Sequence, residues 1–149
     1  MFRTHIQTEI EINASAEEVW HHLTDLASYP QWNPFILRAS GEVKYQSKLN
    51  VFIQPPGSQG MTFTPTVLKA EPNKEFRWLG NFLLPKLLDA EHIFYIQAIG
   101  ENRVKFYHGE FFSGLLVPMF KGNLEANSRS GFQAMNQALK NRAEQASKL

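Results

Sequence analysis

Asp89-Ala-Glu-His-Ile-Phe-Tyr-Ile-Gln-Ala-Ile99, the linker Gly100-Glu-Asn102 and Arg103-Val-Lys-Phe-Tyr-His-Gly-Glu-Phe-Phe-Ser113 form the most informative stretch of the chain. Both long runs are rich in aromatic and β-branched residues and alternate with a period of two, the pattern of a strand with one face on a core. His92, Phe94, Ile96 and Ala98 share one face of the first run. Val104, Phe106, His108, Glu110 and Phe112 share one face of the second. The linker is short enough to make the two strands neighbours, so two imidazoles and a carboxylate are expected to point inward among apolar side chains.

Downstream, from Leu115 to about Ser147, Pro118 comes early and only Gly122 and Gly131 interrupt helix-forming residues. Leu116, Phe120, Leu124, Phe132, Met135 and Leu139 recur at helical spacing, and Lys140, Arg142 and Lys148 suit the negative end of a helix dipole. The spacing predicts one helix of roughly 30 residues. A helix with a single apolar stripe needs a sheet to lie on, and a twisted sheet of many strands curls around it.

Upstream, Arg3 to Ile12 reads as a strand with Ile6, Ile10 and Ile12 on one face. Ser15 with Glu18 forms a capping box for a short helix carrying Val19, Trp20 and Leu23 and ending near Asp25. Leu26 to Phe35 holds two prolines and three aromatics and predicts a short helical turn pinned by Tyr29 and Trp32. Strands are expected over 36–45, 47–54, 61–70 and 75–79, with turns at Pro55-Pro-Gly57 and Pro72-Asn73. Pro65 cannot donate to a ladder and marks an edge or a bulge. The segment Gly80–Leu88 is apolar and contains Pro85, which reads as a lid or cavity mouth. Terminal helices around an antiparallel meander give an α+β fold: about six or seven strands in a curved sheet around a long C-terminal helix, with two short helices after the first strand.

The 149 residues suit one domain spanning 1–149. Twelve phenylalanines are a heavy aromatic load that calls for a large interior or a ligand. Fifteen basic and 14 acidic side chains, scattered along the chain, leave no electrostatic footprint for nucleic acid. The absence of cysteine rules out disulfides and thiol chemistry. No run approaches the ~18 apolar residues of a membrane span, and no signal peptide is evident, so a cytoplasmic location is expected.

Glu17-Glu-Val-Trp20, Leu23-Thr-Asp25, Tyr29-Pro-Gln-Trp-Asn-Pro-Phe35, Trp78-Leu-Gly80, Glu91-His-Ile-Phe94, Glu110-Phe-Phe-Ser-Gly114, Ala134-Met-Asn136 and Leu139-Lys140 together resemble the bacterial START-like (SRPBCC) superfamily, in its polyketide cyclase/dehydrase-like branch. The likeness covers nearly the whole chain. It implies a helix-grip fold with a cavity between sheet and C-terminal helix, in relatives that take lipids, quinones, plant hormones or aromatic polyketides.

His92, His108 and Glu110 are the candidate proton-transfer groups, because ionisable side chains in an apolar cavity have perturbed proton affinities. The plainer reading is that they bond one another and the long helix, orienting a ligand or the fold. They also make a conceivable zinc set, but no metal-binding spacing accompanies them, and no metal or cofactor is expected. Trp32, Phe63, Phe76, Trp78, Phe94, Phe106, Phe112, Phe132 and Met135 are candidates for the ligand wall, with Trp78 and Phe94 foremost; ordinary core packing competes for most of them. Asn136 can face the cavity or cap the Trp32-Asn33-Pro34 turn, the second being the duller role. Phe82, Leu83, Leu84 and Leu87, with Leu88, Phe111, Leu115 and Leu116, form a gate, a membrane-touching patch or a dimer contact. Sequence leaves these three open.

The leading expectation is therefore a binding protein for a hydrophobic small molecule, as monomer or homodimer. A cyclase, dehydratase or hydrolase acting on a polyketide-like substrate is the alternative. A protein-interaction or chaperone-regulating module comes third, since no strongly charged binding face is present.

Overall fold

The computed structural model describes residues 2–82 and 85–148. The chain runs β1 (Arg3–Ile12), α1 (Ala16–Thr24), a 3-10 turn (Leu26–Ser28), α2 (Tyr29–Trp32), β2 (Ile36–Ser40), β3 (Asn50–Ile53), β4 (Met61–Phe63), β5 (Thr66–Glu71), β6 (Glu75–Phe82), β7 (Leu88–Gly100), β8 (Arg103–Ser113) and α3 (Val117–Ser147). A five-stranded sheet has the order β1-β8-β7-β6-β5 and a three-stranded sheet the order β2-β3-β4. Every strand pair is antiparallel. This is the expected helix-grip fold, with eight described strands because Pro65 divides 61–70 into β4 and β5. The two sheets remain stitched beside that proline, where Leu49 N donates to Pro65 O at 2.9 Å and Lys48 bridges Thr66.

Three boundaries differ from the alternation pattern, each for a backbone reason. The 36–45 strand stops at Ser40 because Gly41 turns at φ +120°, where a Cβ would lie 2.8 Å from Lys48 O. The 47–54 strand begins only at Asn50, since Ser47 and Leu49 are bonded instead to Val67 and Pro65 across the seam. The apolar segment 80–88 is not wholly a loop: Gly80 to Phe82 continue β6, and Leu88 opens β7.

The early helices form as their caps direct. Ser15 Oγ accepts from Glu18 N at 3.1 Å to start α1. Tyr29 Oη donates to Leu23 O, Trp32 Nε1 donates to Ser28 Oγ at 3.0 Å, and Asn33 Oδ1 accepts from the amides of Phe35 and Ile36. These bonds satisfy a segment its prolines leave short of backbone partners.

Helix α3 is 31 residues long and lies along β1. Thr4 Oγ1 donates to Glu125, Asn136 Nδ2 to Thr8 Oγ1, Lys140 Nζ to Glu11 O and Asn13 N to Glu144, so the seam is tied from end to end. The two halves of α3 do different work. Phe132, Met135, Leu139 and Ala143 are fully buried against Ile6, Phe94 and Phe106 in one core cluster. Burying each such aromatic or large aliphatic side chain contributes about 1.5–3 kcal/mol. Residues 118–127, by contrast, include none that is buried. There the helix arches over a hollow.

Candidate functional site

The hollow has a volume of about 460 Å³ and lies between the N-terminal half of α3 and the two sheets. Its size is that of a small-molecule site. The three-stranded sheet and its loop supply Val51, Ile53, Pro55 and Phe63; the five-stranded sheet supplies Trp78, Gly80, Ala90, His92, Glu110 and Phe112; α3 supplies Phe120, Asn123, Leu124, Asn127 and Ser128. Met61 and Phe120 line it while 54% and 40% exposed, which places the mouth between β4 and the start of α3. At Gly80 the wall is bare backbone, because the nearest atom to a built Cβ is Ala90 O at 4.0 Å.

The polar end of the cavity is built by strand register. His92 stands directly opposite Glu110 across β7 and β8, and opposite Trp78 across β6 and β7. His92 Nδ1 meets Glu110 Oε2 at 3.0 Å, and Trp78 stacks on the imidazole with ring centres 5.0 Å apart. Behind it, His92 Nε2 meets His108 Nε2 at 2.7 Å, a diagonal contact of the same strand pair. His108 Nδ1 meets Asn136 Oδ1 at 2.9 Å, Asn136 Nδ2 donates to Thr8 Oγ1 at 2.8 Å, and Thr8 Oγ1 donates to the His108 carbonyl at 2.9 Å. The chain thus passes from the cavity surface at Glu110 through buried His92 and fully buried His108 to α3 and β1.

Donor and acceptor roles follow from the far end inward. Because Thr8 donates to a carbonyl, its oxygen receives the Asn136 amide, so Asn136 turns its oxygen to His108 Nδ1. Nδ1 of His108 therefore carries a hydrogen. Burial, followed by the neighbouring His92, holds the His108 imidazole well below its ordinary value of 6.5 and keeps it neutral. Its Nε2 is then an acceptor, and His92 Nε2 is the donor across the 2.7 Å gap.

The structure sorts the candidates into three places. Phe63, Trp78, His92, Glu110 and Phe112 lie on the cavity wall. Phe76, Phe94, Phe106, Phe132, Met135, His108 and Asn136 are buried beneath it rather than on it, because α3 closes onto the sheet in its C-terminal half. Phe94 accordingly packs behind the wall, 5.4 Å from Trp78 and 4.8 Å from His92 between ring centres. Trp32 stays in the α2 turn, edge-on to Tyr29 at 5.2 Å. Asn136 does not cap the Trp32-Asn33-Pro34 turn: Asn33 does so with its own side chain, and Asn136 is engaged by His108 and Thr8.

Of the apolar gate candidates, Leu83, Leu84 and the Phe82 side chain lie outside the described residues. Leu87 is half-buried in a turn whose backbone is held, since Leu116 N donates to Leu87 O at 2.9 Å and Leu115 N to Lys86 O at 3.1 Å. Leu88 and Leu116 line the cavity, whereas Leu115 and Phe111 face outward and are exposed, Phe111 stacking on His5. Among the described residues no group of three or more side chains is placed to hold a metal ion, and no helix is long and apolar enough to cross a membrane.

Sequence reasoning missed Thr8, Asn123, Asn127 and Ser128. The signal was present: Phe120, Asn123, Leu124, Asn127 and Ser128 follow the i, i+3, i+4, i+7, i+8 spacing of one helical face. Thr8 sits between Ile6 and Ile10 in the inward phase of β1.

Comparison with known proteins agrees with this architecture. The family model described as polyketide cyclase / dehydrase and lipid transport matches residues 3–144. Zhui aromatase/cyclase from Streptomyces sp. R1128 superposes with a TM-score of 0.80 at 16% identity, over 98% of this chain and 96% of that one. A START superfamily protein from Mycobacterium smegmatis gives 0.74 at 23% identity, over 95% and 98%. Norcoclaurine synthase from Thalictrum flavum, as a point mutant in complex with a transition state analogue, gives 0.75 at 12% identity, over 98% and 97%. At such identities the likeness establishes the fold. No curated protein matches the chain.

Proposed function

The chain belongs to the polyketide cyclase / dehydrase and lipid transport family, and we propose that it binds one hydrophobic small molecule in the cavity under the first half of α3. The observation that carries this reading is the cavity's make-up: about 460 Å³ lined mostly by aliphatic and aromatic side chains, with a few polar groups among them, Glu110 and His92 from the sheet and Asn123, Asn127 and Ser128 from α3. An empty apolar space of that size forfeits packing, so a ligand that fills it gains contact and desolvation together. Native mass spectrometry of the purified protein, with solvent extraction of what it carries, tests this. A stoichiometric lipid, quinone or aromatic compound is expected, and failure of every apolar probe to bind would overturn the reading.

A second reading rests on a separate observation. Glu110 reaches the cavity while hydrogen-bonded to His92, which is the arrangement a general base needs to move a proton on a bound carbonyl compound. In this reading the protein is a cyclase or dehydratase for a polyketide-like substrate, with Glu110 as the group that touches it. Loss of turnover in both Glu110→Gln and His92→Ala is expected, and unchanged rates in both would end the enzymatic reading while leaving ligand binding intact.

A further inference from the structure

The hydrogen-bonded chain behind Glu110 fixes what that carboxyl can offer a ligand. His92 Nε2 donates to His108, so only one further proton belongs between His92 Nδ1 and Glu110 Oε2, which stand 3.0 Å apart. With the proton on nitrogen the pair is imidazolium and carboxylate; with the proton on oxygen it is imidazole and carboxylic acid. In both arrangements the proton lies on the Oε2 side, and Oε1 is left as an acceptor alone. The Glu110 carboxyl makes no other hydrogen bond among the described residues. Its side chain is 12% exposed and lines the cavity, so a donor on a bound molecule can add a hydrogen bond there.

We propose that Thr8, Asn136 and His108 are positioning residues that hold this single proton in the Glu110–His92 pair and thereby make Glu110 Oε1 the docking point for one neutral hydroxyl group, alcohol or phenol, of the bound molecule. The inference rests on the cavity being the ligand site. The charge of the wall supports a neutral ligand: among the described residues no lysine or arginine lines the cavity. A carboxylate or phosphate inside it would be buried beside a pair that is neutral overall, with no lysine or arginine to receive its charge. An ammonium group would meet a pair that is already neutral overall.

The test uses the 149-residue chain and three probes of similar size, 1-naphthol, 1-methoxynaphthalene and 1-naphthoate, titrated at neutral pH by calorimetry. The first is expected to bind roughly 10- to 100-fold more tightly than the second, the range for a hydrogen bond to a charged group, and the anion most weakly. Glu110→Leu should abolish the preference while retaining 1-methoxynaphthalene. Glu110→Gln is the sharper variant. With His92 Nε2 locked as donor, neutral His92 presents a lone pair at Nδ1, the glutamine amide nitrogen donates to it, and the glutamine oxygen still faces the cavity, so the preference for 1-naphthol survives. Adding His108→Leu releases the lock and should erase it. Nitrogen-15 spectra of the wild-type histidines supply a readout independent of ligand, with His108 expected neutral and protonated at Nδ1. Equal binding of 1-naphthol and 1-methoxynaphthalene, a reversed preference in Glu110→Gln, or His108 protonated at Nε2 alone would each overturn the proposal. Failure of all three probes to bind would instead overturn the cavity reading beneath it.

Discussion

His92 and His108 share one proton across 2.7 Å between their Nε2 atoms, on neighbouring strands and under a layer of aromatic rings. Each imidazole is hemmed by apolar faces, His108 stacking on Phe132 with centres 4.2 Å apart and His92 on Trp78. The contact is inaccessible to water, so nothing replaces either partner if it is lost. His108→Leu is therefore expected to leave His92 Nε2–H and Asn136 Oδ1 buried and unpaired, at about 1–3 kcal/mol each. Urea denaturation should show a loss of about 2–6 kcal/mol, and a variant within about 0.5 kcal/mol of wild type would mean that the pair contributes nothing to stability.

The same burial sets a pH dependence. His108 is neutral when folded, whereas in the unfolded chain it binds a proton near its ordinary 6.5. Below that pH the unfolded state holds the extra proton, so acid favours unfolding. The contribution is fully present above about 6.5 and falls by up to about 1.4 kcal/mol per pH unit below it, until the depressed folded value is reached. Its titratable neighbour in direct contact is His92, which opposes a second charge. Denaturation midpoints at pH 7.5 and 5.5 measure the slope; His108→Leu should flatten it relative to wild type, and parallel slopes in the two proteins would refute the assignment.

Gly80 offers a way to close the cavity without touching its polar end. It occupies an inward position of β6 beyond Phe76 and Trp78, and a Cβ there meets nothing nearer than 4.0 Å. Gly80→Leu should fill part of the 460 Å³ with its own side chain. Binding of 1-methoxynaphthalene is expected to weaken at least about tenfold, while stability holds or rises as a strand glycine is replaced. Undiminished binding would show that the probe sits elsewhere.

Why some of this was legible in sequence and some was not follows from particular residues. Strict alternation in β7 and β8 placed His92, His108 and Glu110 on one surface, because a period of two leaves no freedom in which face a side chain takes. What alternation does not encode is depth. His108 and Glu110 share a face, yet one is fully buried and the other reaches the cavity, because α3 descends onto the sheet beside Phe132 and lifts away before Asn127. Phe35 packs under the helix at that point, beside Gly131 and Phe132, a contact between residues far apart in sequence. Asn136 was misread for a related reason: as a helical amide near an apolar position it suited many partners, and only the third dimension selected His108 and Thr8.

Two glycines of α3 make the last prediction, because the same substitution should act with opposite signs in one helix. Replacing an interior glycine by alanine favours the helix by about 1 kcal/mol. At Gly122 a Cβ has no atom within 4 Å, so Gly122→Ala is expected to stabilise by up to that amount. At Gly131 a Cβ would stand 2.3 Å from Phe35 Cδ1 and 2.4 Å from Cε1. That ring is 3% exposed, packs edge-on against Phe132 at 5.6 Å and lines the cavity, so it has little room to retreat except into the ligand space. Overpacking of this kind costs about 1–3 kcal/mol, which exceeds the propensity gain. Gly131→Ala should therefore destabilise and also weaken binding of an apolar probe, as Phe35 swings toward the hollow. Equal stabilisation by both substitutions would mean that Phe35 yields freely and that α3 is not held at the height the cavity requires.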